Sequence, residues 1–420
     1  MADNIMDELE WRGAVNQVSD AEELKKITSE RKISLYEGVD PTGPSLHIGH
    51  LVSLMILKRF QQYGHKPFIV IGGGTGSIGD PSGRSTERVL QSMDVIQKNA
   101  ESLNKQFEKF FGKDGFEIVN NYDWLSKIDL LSFLRDYAKQ FSINTMIAKD
   151  SVQNRLATGL SFTEFSYPLL QAIDFLNLRQ DHHVELQIGG GDQWGNLTTG
   201  VDFIHRHMGA DTTAFALTCP LILRADGTKF GKTADGQSVW VDPELTSPYE
   251  FYQFWYNQPD SVVVNYLKFF TFLDEEKIKY LAEQVQAAPE KREAQKALAE
   301  EVTTFVHGDD STKQAERISV ALFSGEYGDL TADEIKQALA DMPHVEINDQ
   351  PANVVEWLVD LTKIEPSRRQ AREDIKNGAL AINGEKITDP EFSVDPKAKY
   401  DGRYVVVKIG KKRYYLAHVQ

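Results

Sequence analysis

Short apolar runs alternate with segments of helical spacing from Lys32 onward, and this alternation limits the fold more than any other feature of the chain. The clearest helical segment is 46–63, where apolar residues such as Leu54 and Leu57 recur at helical intervals before Gly64, a residue type common just after helices. Strands separated by helices are typical of a parallel sheet with helices packed on its faces. We therefore predict an α/β domain built on a parallel sheet. Its predicted strands are residues 33–36, 68–71, 116–119, 184–188 and 216–223.

The second half of the chain has a different pattern. Pro289 suits the first turn of a helix, and an apolar stripe follows from Leu298 to Gly308. Residues 245–325 are therefore predicted to be mainly helical. The Gly, Asp and Pro residues scattered over 325–350 indicate a connector to the C-terminal part of the chain.

Composition excludes several classes of protein. The chain has 46 Lys and Arg against 62 Asp and Glu, a net charge of −16, so the molecule as a whole should repel a polyanion. Residues 351–420 reverse this balance, with 13 basic against 10 acidic residues. Apolar runs too short for a bilayer and an acidic N-terminus predict a cytoplasmic protein without a membrane anchor. The single cysteine, Cys219, excludes a disulfide framework and a thiolate cluster, so we expect no metal ion held by the protein alone.

The segment 41–50, Pro-Thr-Gly-Pro-Ser-Leu-His-Ile-Gly-His, follows the first predicted strand and opens the first predicted helix. His47 and His50 are three residues apart and share one face of the first helical turn, where backbone N–H groups and the helix dipole favour an anion. Gly49 removes a side chain between them, so a flat group could lie against the helix. This pattern suits a nucleotide, and the alternative is a pair of capping histidines on a solvated helix end.

A second segment, 229–233, reads Lys-Phe-Gly-Lys-Thr and lies in a loop after the last predicted strand. Two lysines on a glycine-containing loop can reach a polyphosphate and supply charge when the reaction needs it. Alone, such a loop is more often a solvated turn. The presence of both segments in one chain favours the nucleotide interpretation.

Together the two segments resemble the signature motifs of class I aminoacyl-tRNA synthetases. Further blocks at 35–42, 161–167 and 187–196 resemble bacterial tyrosyl-tRNA synthetases, and the resemblance continues to the C-terminus. The second motif departs from the broader class, with Phe230-Gly231 where many relatives have Met-Ser. The resemblance implies a Rossmann-like catalytic domain with a connective insertion (1–228), the lysine loop and a helical domain (229–325), a linker (326–350) and a small α+β S4-like RNA-binding domain (351–420).

The resemblance implies a pocket for L-tyrosine. The implied contacts are Tyr36 and Asp174 for the phenolic hydroxyl, Asp80, Tyr167 and Gln171 for the ammonium group, and Gln193 near the carboxylate. A donor and an acceptor paired at the phenol end disfavour phenylalanine, which would leave both groups unsatisfied. Residues 167, 171 and 174 are four and three apart, so one helix can present all three side chains to one pocket. Without the resemblance, these three residues would be interpreted as a polar helix face.

The resemblance also implies an ATP site. The implied contacts are Asp40 near both substrates, Thr42 and His47 on the phosphates, His50 on the sugar side with Gly49 beneath the nucleotide, and Asp192 on the ribose. Lys229 and Lys232 would neutralise the departing pyrophosphate, with Arg84 and Arg88 as helpers. Mg²⁺ is expected on the ATP phosphates. Glu37 stands where relatives often have a small residue or cysteine, and its role is left open.

The implied reaction joins the tyrosine carboxylate to the α-phosphorus of ATP and then transfers tyrosine to the terminal ribose of tRNA(Tyr). A carboxylate is already ionised at neutral pH, so the first step needs positioning and charge stabilisation but no general base. The resemblance further implies a homodimer in which each tRNA contacts both subunits.

The basic C-terminal part predicts a surface for RNA. Arg368, Arg372 and Lys376 recur every four residues, and Asn383-Gly384 is a strong hairpin signal. A second basic cluster contains Lys408, Lys411 and Lys412. Both features resemble S4-type RNA-binding domains, which read the shape and phosphates of folded RNA. On charge alone, a solvated face is an equal alternative.

Four other functions fit the sequence less well. Residues 72–79 contain G-x-G-x-x-G after a strand, but a turn at 80–83 follows where a dinucleotide fingerprint needs a helix. A non-catalytic RNA-binding relative would not need the histidines and lysines, and a small-molecule nucleotidyltransferase would not need the basic C-terminal part. A tryptophan-specific synthetase is a nearer alternative, although Tyr36 with Asp174 suits a phenol better than an indole.

Overall fold

The computed structural model describes residues 3–82, 91–149, 152–153, 159–228, 230, 237–340, 342–410 and 413–420. The chain forms two compact units. The first comprises Met1–Thr246 and Asn257–Val302, and the second comprises Ser247–Tyr256 and Thr303–Gln420. No helix within the described residues is both long and apolar enough to cross a membrane.

The first unit is built on a six-stranded sheet. Its strands are β1 (Gln17–Val18), β2 (Ser34–Val39), β3 (Lys66–Ile71), β4 (Glu117–Asn120), β5 (Val184–Gly190) and β6 (Phe215–Cys219). Their order is β1-β6-β5-β2-β3-β4, and every pair is parallel except β1 with β6. From β2 the chain adds β3 and β4 on one side and later β5 and β6 on the other. The order therefore reverses between β2 and β5, the place where open parallel sheets bind ligands beyond the carboxyl ends of their strands.

Helices alternate with these strands and continue after the last of them. Up to residue 307 they are α1 (Ile5–Trp11), α2 (Ala21–Glu30), α3 (Ile48–Gln62), α4 (Met93–Phe111), α5 (Tyr122–Leu125), α6 (Leu130–Ser132), α7 (Ile143–Ile147), α8 (Phe162–His182), α9 (Trp194–Met208), α10 (Pro248–Tyr256, in the second unit), α11 (Asp260–Phe270), α12 (Glu275–Ala287) and α13 (Glu293–His307). The helix predicted over 46–63 is confirmed as α3, which ends before Gly64 at a φ of +84°. Apolar residues of α3 such as Leu54 and Leu57 are fully buried, as their spacing predicts.

The five predicted strands are all present, with one clear difference in length. The strand predicted over 216–223 ends at Cys219. Residue 220 is proline, which has no N–H to donate to a neighbouring strand, so the apolar residues after it leave the sheet. The short strand β1 was not predicted, because two residues carry no periodic signal.

The second unit contains a five-stranded sheet. Besides α10, its elements are α14 (Asp309–Ser324), α15 (Ala332–Ala338), β7 (His344–Ile347), β8 (Ala352–Asn353), α16 (Val354–Glu356), α17 (Arg368–Lys376), β9 (Leu380–Ile382), β10 (Glu385–Lys386), β11 (Ser393–Val394), β12 (Tyr404–Ile409) and β13 (Arg413–Val419). The strand order is β10-β9-β12-β13-β7, antiparallel except for β13 with β7. The predicted Asn383-Gly384 hairpin joins β9 to β10, with φ values of +50° and +87°.

The stretch predicted as a connector contains ordered elements. Thr331 and Glu334 form a capping box that starts α15, and Ile335 of this helix is fully buried. β7 follows and pairs in parallel with β13. Helix α14 and α15 contribute Ile318 and Ile335 to one apolar cluster with residues of β12 and β13. This segment is therefore part of the core of the second unit, a contact between distant parts of the sequence that local composition does not reveal.

Candidate active site

A cavity of about 200 Å³ lies beyond the carboxyl ends of β2 and β5, where the strand order reverses. Nine of the residues predicted from the sequence line it: Tyr36, Asp40, Thr42, His50, Asp80, Tyr167, Gln171, Asp174 and Gln193. A larger cavity of about 690 Å³ beside β4 and α8 contains none of these nine residues. The smaller cavity is the candidate active site, because its polar side chains converge from five separate segments of the chain.

The remaining predicted residues of the first unit fall into two groups. His47 caps α3 next to His50, Gly49 lies in the first turn of that helix, and Asp192 is exposed in a short turn directly after β5. The basic residues predicted for the phosphates lie outside the described part of the chain. They are Arg84, Arg88, Lys229 and Lys232.

The two histidines fix each other at the start of α3. Nδ1 of His47 accepts a hydrogen bond from the Gly49 N–H at 3.1 Å, and Nδ1 of His50 accepts one from the His47 N–H at 3.1 Å. Both rings are therefore protonated on Nε2 when neutral. Burial, together with the neighbouring His47, lowers the pKa of His50 to about 3. His50 is thus a neutral Nε2–H donor at the positive end of a 15-residue helix.

Tyr36 and Asp174 form one end of the cavity. Tyr36 is buried, and its hydroxyl has no hydrogen-bond partner among the described residues. The Asp174 carboxylate accepts from Trp124 Nε1 at 2.7 Å through Oδ1 and from Asn121 Nδ2 at 2.9 Å through Oδ2. Burial raises the pKa of Asp174 to about 7, although both hydrogen bonds act to lower it. A hydroxyl donor and a carboxylate acceptor in one buried pocket are suited to a ligand that carries a hydroxyl group.

Asn121 and Trp124 were not predicted from the sequence. Both lie within four residues of the end of β4, which pairs with β3. The predicted position of this strand was the one feature of the sequence that could have indicated them. The carboxyl end of a neighbouring parallel strand opens onto the same edge of the sheet. Residues after 116–119 were therefore candidates for the site, but nothing in the sequence pairs them with residue 174.

A second group of polar side chains also lines the cavity. Gln193 Nε2 donates to Asp80 Oδ2 at 2.6 Å, and Asn196 Nδ2 donates to Gln171 Oε1 at 3.1 Å. The hydroxyl of Tyr167 donates to Asp40 Oδ2 at 2.9 Å. Carboxylate and amide oxygens here suit a cationic group such as an ammonium.

Helix α8 places three of these predicted residues in the cavity. It begins at the cap Ser161, whose side chain accepts from the Glu164 N–H. Tyr167, Gln171 and Asp174 then follow at spacings of four and three residues and line the same cavity. The prediction that one helix presents all three is confirmed.

Glu37 is buried in the wall of the cavity, next to α3. The hydroxyl of Ser53 donates to Glu37 Oε1, and Oε2 has no hydrogen-bond partner among the described residues. Burial raises the pKa of Glu37 to about 8, and the Ser53 hydrogen bond opposes this shift. The side chain therefore carries a proton at neutral pH, so that it is uncharged and can donate as well as accept.

The Glu37→Gln variant should become progressively more stable than the unmodified protein as the pH rises from about 4.5 to about 8. The folded protein holds the Glu37 proton more tightly than the unfolded chain, because the pKa is raised from 4.5 to about 8 on folding. The free energy of unfolding of the unmodified protein therefore falls through this window by at most about 5 kcal/mol. The amide of the variant does not titrate, so its contribution does not change with pH. Thermal unfolding of both proteins at pH 5, 7 and 9 measures this difference. Glu283→Gln, at an exposed position, is the control, and a melting difference that is constant with pH would contradict the assignment.

The predicted basic residues of the second unit lie on different elements. Arg368, Arg372 and Lys376 all belong to α17 and are exposed, while Ala371 and Ile375 on its other face are buried. Arg368 forms an ion pair with Asp360 at 2.6 Å. The Lys408 amine lies 5.2 Å from the centre of the Tyr414 ring. Lys411 and Lys412 lie outside the described residues.

Comparison with known proteins identifies the family. Residues 28–324 match the family model of tRNA synthetases class I (W and Y), and residues 334–417 match the tyrosine--tRNA ligase SYY-like C-terminal domain. The chain belongs to the class I tRNA synthetases of the tryptophan and tyrosine group. The fold expected from the resemblance, a parallel α/β sheet followed by helices and a strand-rich C-terminal domain, is confirmed for this synthetase.

Individual relatives of this synthetase are similar over almost its whole length. Tyrosine--tRNA ligase of Pediococcus pentosaceus is 62% identical over 417 residues, which cover 99% of this chain and 100% of the relative. The same enzyme of Limosilactobacillus fermentum is 62% identical over 416 residues, covering 99% of each chain. A C-terminally truncated mitochondrial tyrosyl-tRNA synthetase from Aspergillus nidulans has 31% identity and a TM-score of 0.69 over 76% of this chain and 94% of its own.

Proposed function

We propose that this synthetase is a tyrosine--tRNA ligase, which activates L-tyrosine with ATP to tyrosyl-adenylate and pyrophosphate and then transfers tyrosine to the 3′ end of tRNA(Tyr). The full-length relatives at 62% identity carry this name. The single structural observation that supports the choice of amino acid is that the Tyr36 hydroxyl and the Asp174 carboxylate both line one buried pocket, where the hydroxyl has no partner among the described residues.

Tyrosine would bind with its phenol against Tyr36 and Asp174. The Asp174 oxygens are already held by Asn121 and Trp124, so the carboxylate is oriented before the substrate arrives. The ammonium group would lie at the other end of the cavity, among Asp80, Tyr167 and Gln171, with Gln193 near the carboxylate. Phenylalanine would bury both polar groups of the phenol end without a partner, which is costly.

ATP would bind across the start of α3. The helix N-terminus and the imidazole groups of His47 and His50 favour the phosphates and the oxygens of the sugar. The low pKa of His50 keeps that ring neutral, so binding does not have to desolvate a charge on it. Thr42 precedes these histidines, and Asp192, at the end of β5, would accept from the ribose hydroxyls. Asp40 accepts a hydrogen bond from the Tyr167 hydroxyl, which would hold its carboxylate between the two ligands.

The chemistry of the first step then needs no proton transfer by the protein. The tyrosine carboxylate attacks the α-phosphorus, and pyrophosphate leaves with the electron pair of the broken P–O bond. The basic residues predicted at 84, 88, 229 and 232 would stabilise the charge that develops on the departing group. Mg²⁺ would enter with ATP as part of the substrate. No cluster of three or more His, Cys, Asp or Glu side chains suited to a metal ion occurs in the described residues, so the phosphates would supply most of its ligands.

Exchange of labelled pyrophosphate into ATP tests this function without tRNA. We expect exchange that depends on tyrosine and is far weaker with phenylalanine or tryptophan at equal concentration. Exchange with tryptophan but not with tyrosine would assign the pocket to the other amino acid of the family. No exchange with any of the three would refute the activation reaction and favour a non-catalytic role in RNA binding.

The second step requires tRNA, and we propose that the basic face of the C-terminal part binds it. The proposed contacts are Arg368, Arg372, Lys376, Lys408, Lys411 and Lys412. Exposed cations on the outer face of α17 support this proposal for the first three. The proposed division of labour is catalysis by 1–228, a lysine loop and helical domain over 229–325 and S4-like RNA binding by 351–420. The stretch 326–350, expected as a linker, packs with this last part in the second unit.

We also propose that the enzyme is a cytoplasmic homodimer. Five apolar side chains of the first unit support an interface, because each is largely exposed: Leu130, Leu131, Leu134, Ile143 and Phe162. Sedimentation equilibrium should give twice the chain mass of 47.4 kDa, and a single-chain mass at micromolar concentration would contradict the proposal.

A further inference from the structure

Thr75 lies between the two ends of the active-site cavity. Its hydroxyl accepts from Asn121 Nδ2 at 2.9 Å and donates to Asp40 Oδ1 at 2.7 Å. The same Asn121 Nδ2 donates to Asp174 Oδ2 at 2.9 Å. A continuous path of hydrogen bonds therefore joins Asp174, which lies beside Tyr36 in the phenol pocket, to Asp40, which accepts from Tyr167 in the second group of polar side chains of the cavity.

The donors and acceptors along this path have one consistent direction. Oδ1 of Asn121 accepts from the Gly74 N–H at 2.8 Å, which fixes the orientation of the amide and makes its nitrogen the donor to both neighbours. Since Thr75 accepts from Asn121, its only proton is directed to Asp40. The second oxygen of Asp40 accepts from the Tyr167 hydroxyl.

The backbone leaves little space for another arrangement. Thr75 is 3% exposed and begins a short 3₁₀ turn closed by the hydrogen bond from the Ile78 N–H to Thr75 O at 2.9 Å. The Gly76 N–H donates to Gly72 O at 2.7 Å, which fixes the main chain on the other side of Thr75. A Cβ atom at Gly72 would lie 2.0 Å from Asp40 Oδ1 and 2.5 Å from the Thr75 hydroxyl oxygen. The main chain at Gly72 thus lies directly against the hydrogen bond between Thr75 and Asp40. This close approach restricts the position of the Thr75 hydroxyl.

We propose that Thr75 is a positioning residue that makes the placement of Asp40 depend on what occupies the phenol end of the cavity. This inference rests on the proposed function, because it assumes that tyrosine donates its hydroxyl to Asp174. That donor keeps the carboxylate ionised and so able to accept from Asn121, and Asp174 then holds Asn121, Asn121 holds Thr75, and Thr75 holds Asp40 where the two substrates meet. Hydrogen bonds in such a chain strengthen one another. Recognition of the hydroxyl would then raise the rate of activation as well as the affinity for tyrosine.

The test separates rate from binding. For the unmodified enzyme, kcat and KM of pyrophosphate exchange are measured at saturating ATP with tyrosine and with phenylalanine. In Thr75→Val, which keeps the shape and removes the hydroxyl, we expect kcat for tyrosine to fall about tenfold or more, kcat for phenylalanine to fall less than about threefold, and KM for tyrosine to stay within about threefold. Thr75→Ser, which restores the hydroxyl, should recover most of the tyrosine rate.

Several outcomes would overturn the inference. An equal fall of kcat for both amino acids would mean that Thr75 supports the site without responding to the phenol. A change confined to KM, or no recovery in Thr75→Ser, would also contradict it. If Thr75→Val does not fold, as judged by thermal unfolding, Thr75→Ala removes the same hydroxyl with a smaller side chain and is held to the same criteria. Absence of tyrosine exchange in the unmodified enzyme would instead refute the proposed function itself.

Discussion

Asp174→Asn should lower kcat/KM for tyrosine in pyrophosphate exchange by on the order of a thousandfold. The carboxylate accepts from two fixed donors, Trp124 Nε1 and Asn121 Nδ2. An amide can accept from only one of them, so its own NH₂ group must face a second donor inside a buried pocket. Losing a charge-assisted hydrogen bond and leaving a buried donor unpaired together cost about 4 kcal/mol, which corresponds to this factor.

The matched control for this variant is Asp181→Asn, an exposed position on the same helix α8. It makes the same chemical change and should leave kcat/KM within about twofold. If Asp174→Asn also retained activity, or lost activity equally with phenylalanine, residue 174 would not recognise the phenol.

Asp174 also predicts how amino-acid selection depends on pH. Burial raises its pKa to about 7, so the free enzyme loses the ionised acceptor as the pH falls below 7. Because the tyrosine hydroxyl donates best to the ionised form, the ratio of kcat/KM for tyrosine over phenylalanine should decrease from pH 8 to pH 6. This dependence should be absent from Asp174→Asn.

Residues that are close in sequence could be placed in the site from the sequence alone. Tyr167, Gln171 and Asp174 share a helix, so their spacing determines that they face one pocket. His47 and His50 share one helical turn for the same reason. These predictions needed only the geometry of a single element, and the structure confirms that the residues lie together.

Contacts between distant segments could not be predicted in this way. The partners of Asp174 are 53 and 50 residues away in the chain, and Thr75 is 46 residues from Asn121. Thr75 and Asn121 meet because the neighbouring parallel strands β3 and β4 end at one edge of the sheet, and Asp174 reaches the same place from helix α8. A single sequence carries no record of such contacts. β7 was missed for the same reason, since it is ordered by β13, which follows it by more than 60 residues.

The core of the second unit determines how its proposed RNA-binding role should be tested. Val406 and Leu416 of the C-terminal sheet belong to the same buried cluster as Ile318, Tyr327 and Ile335. Deleting residues 351–420 would expose these apolar side chains, so a loss of activity would not distinguish missing RNA contacts from unfolding. Substitutions on the surface avoid this difficulty.

Reversing two charges, Arg372→Glu with Lys376→Glu, should lower the rate of tRNA charging by about a hundredfold or more and leave tyrosine-dependent pyrophosphate exchange unchanged. Both side chains are exposed on α17, so the fold should tolerate the change, and each glutamate would repel a phosphate where a cation is proposed to attract one. Aminoacylation and exchange are measured on the same preparation. Lys26→Glu with Lys279→Glu, two exposed lysines of the first unit, changes the net charge equally and should leave charging within about threefold. Because the whole chain is already acidic, an equal loss in this control would point to general repulsion of tRNA, whereas a loss confined to α17 would locate the contact.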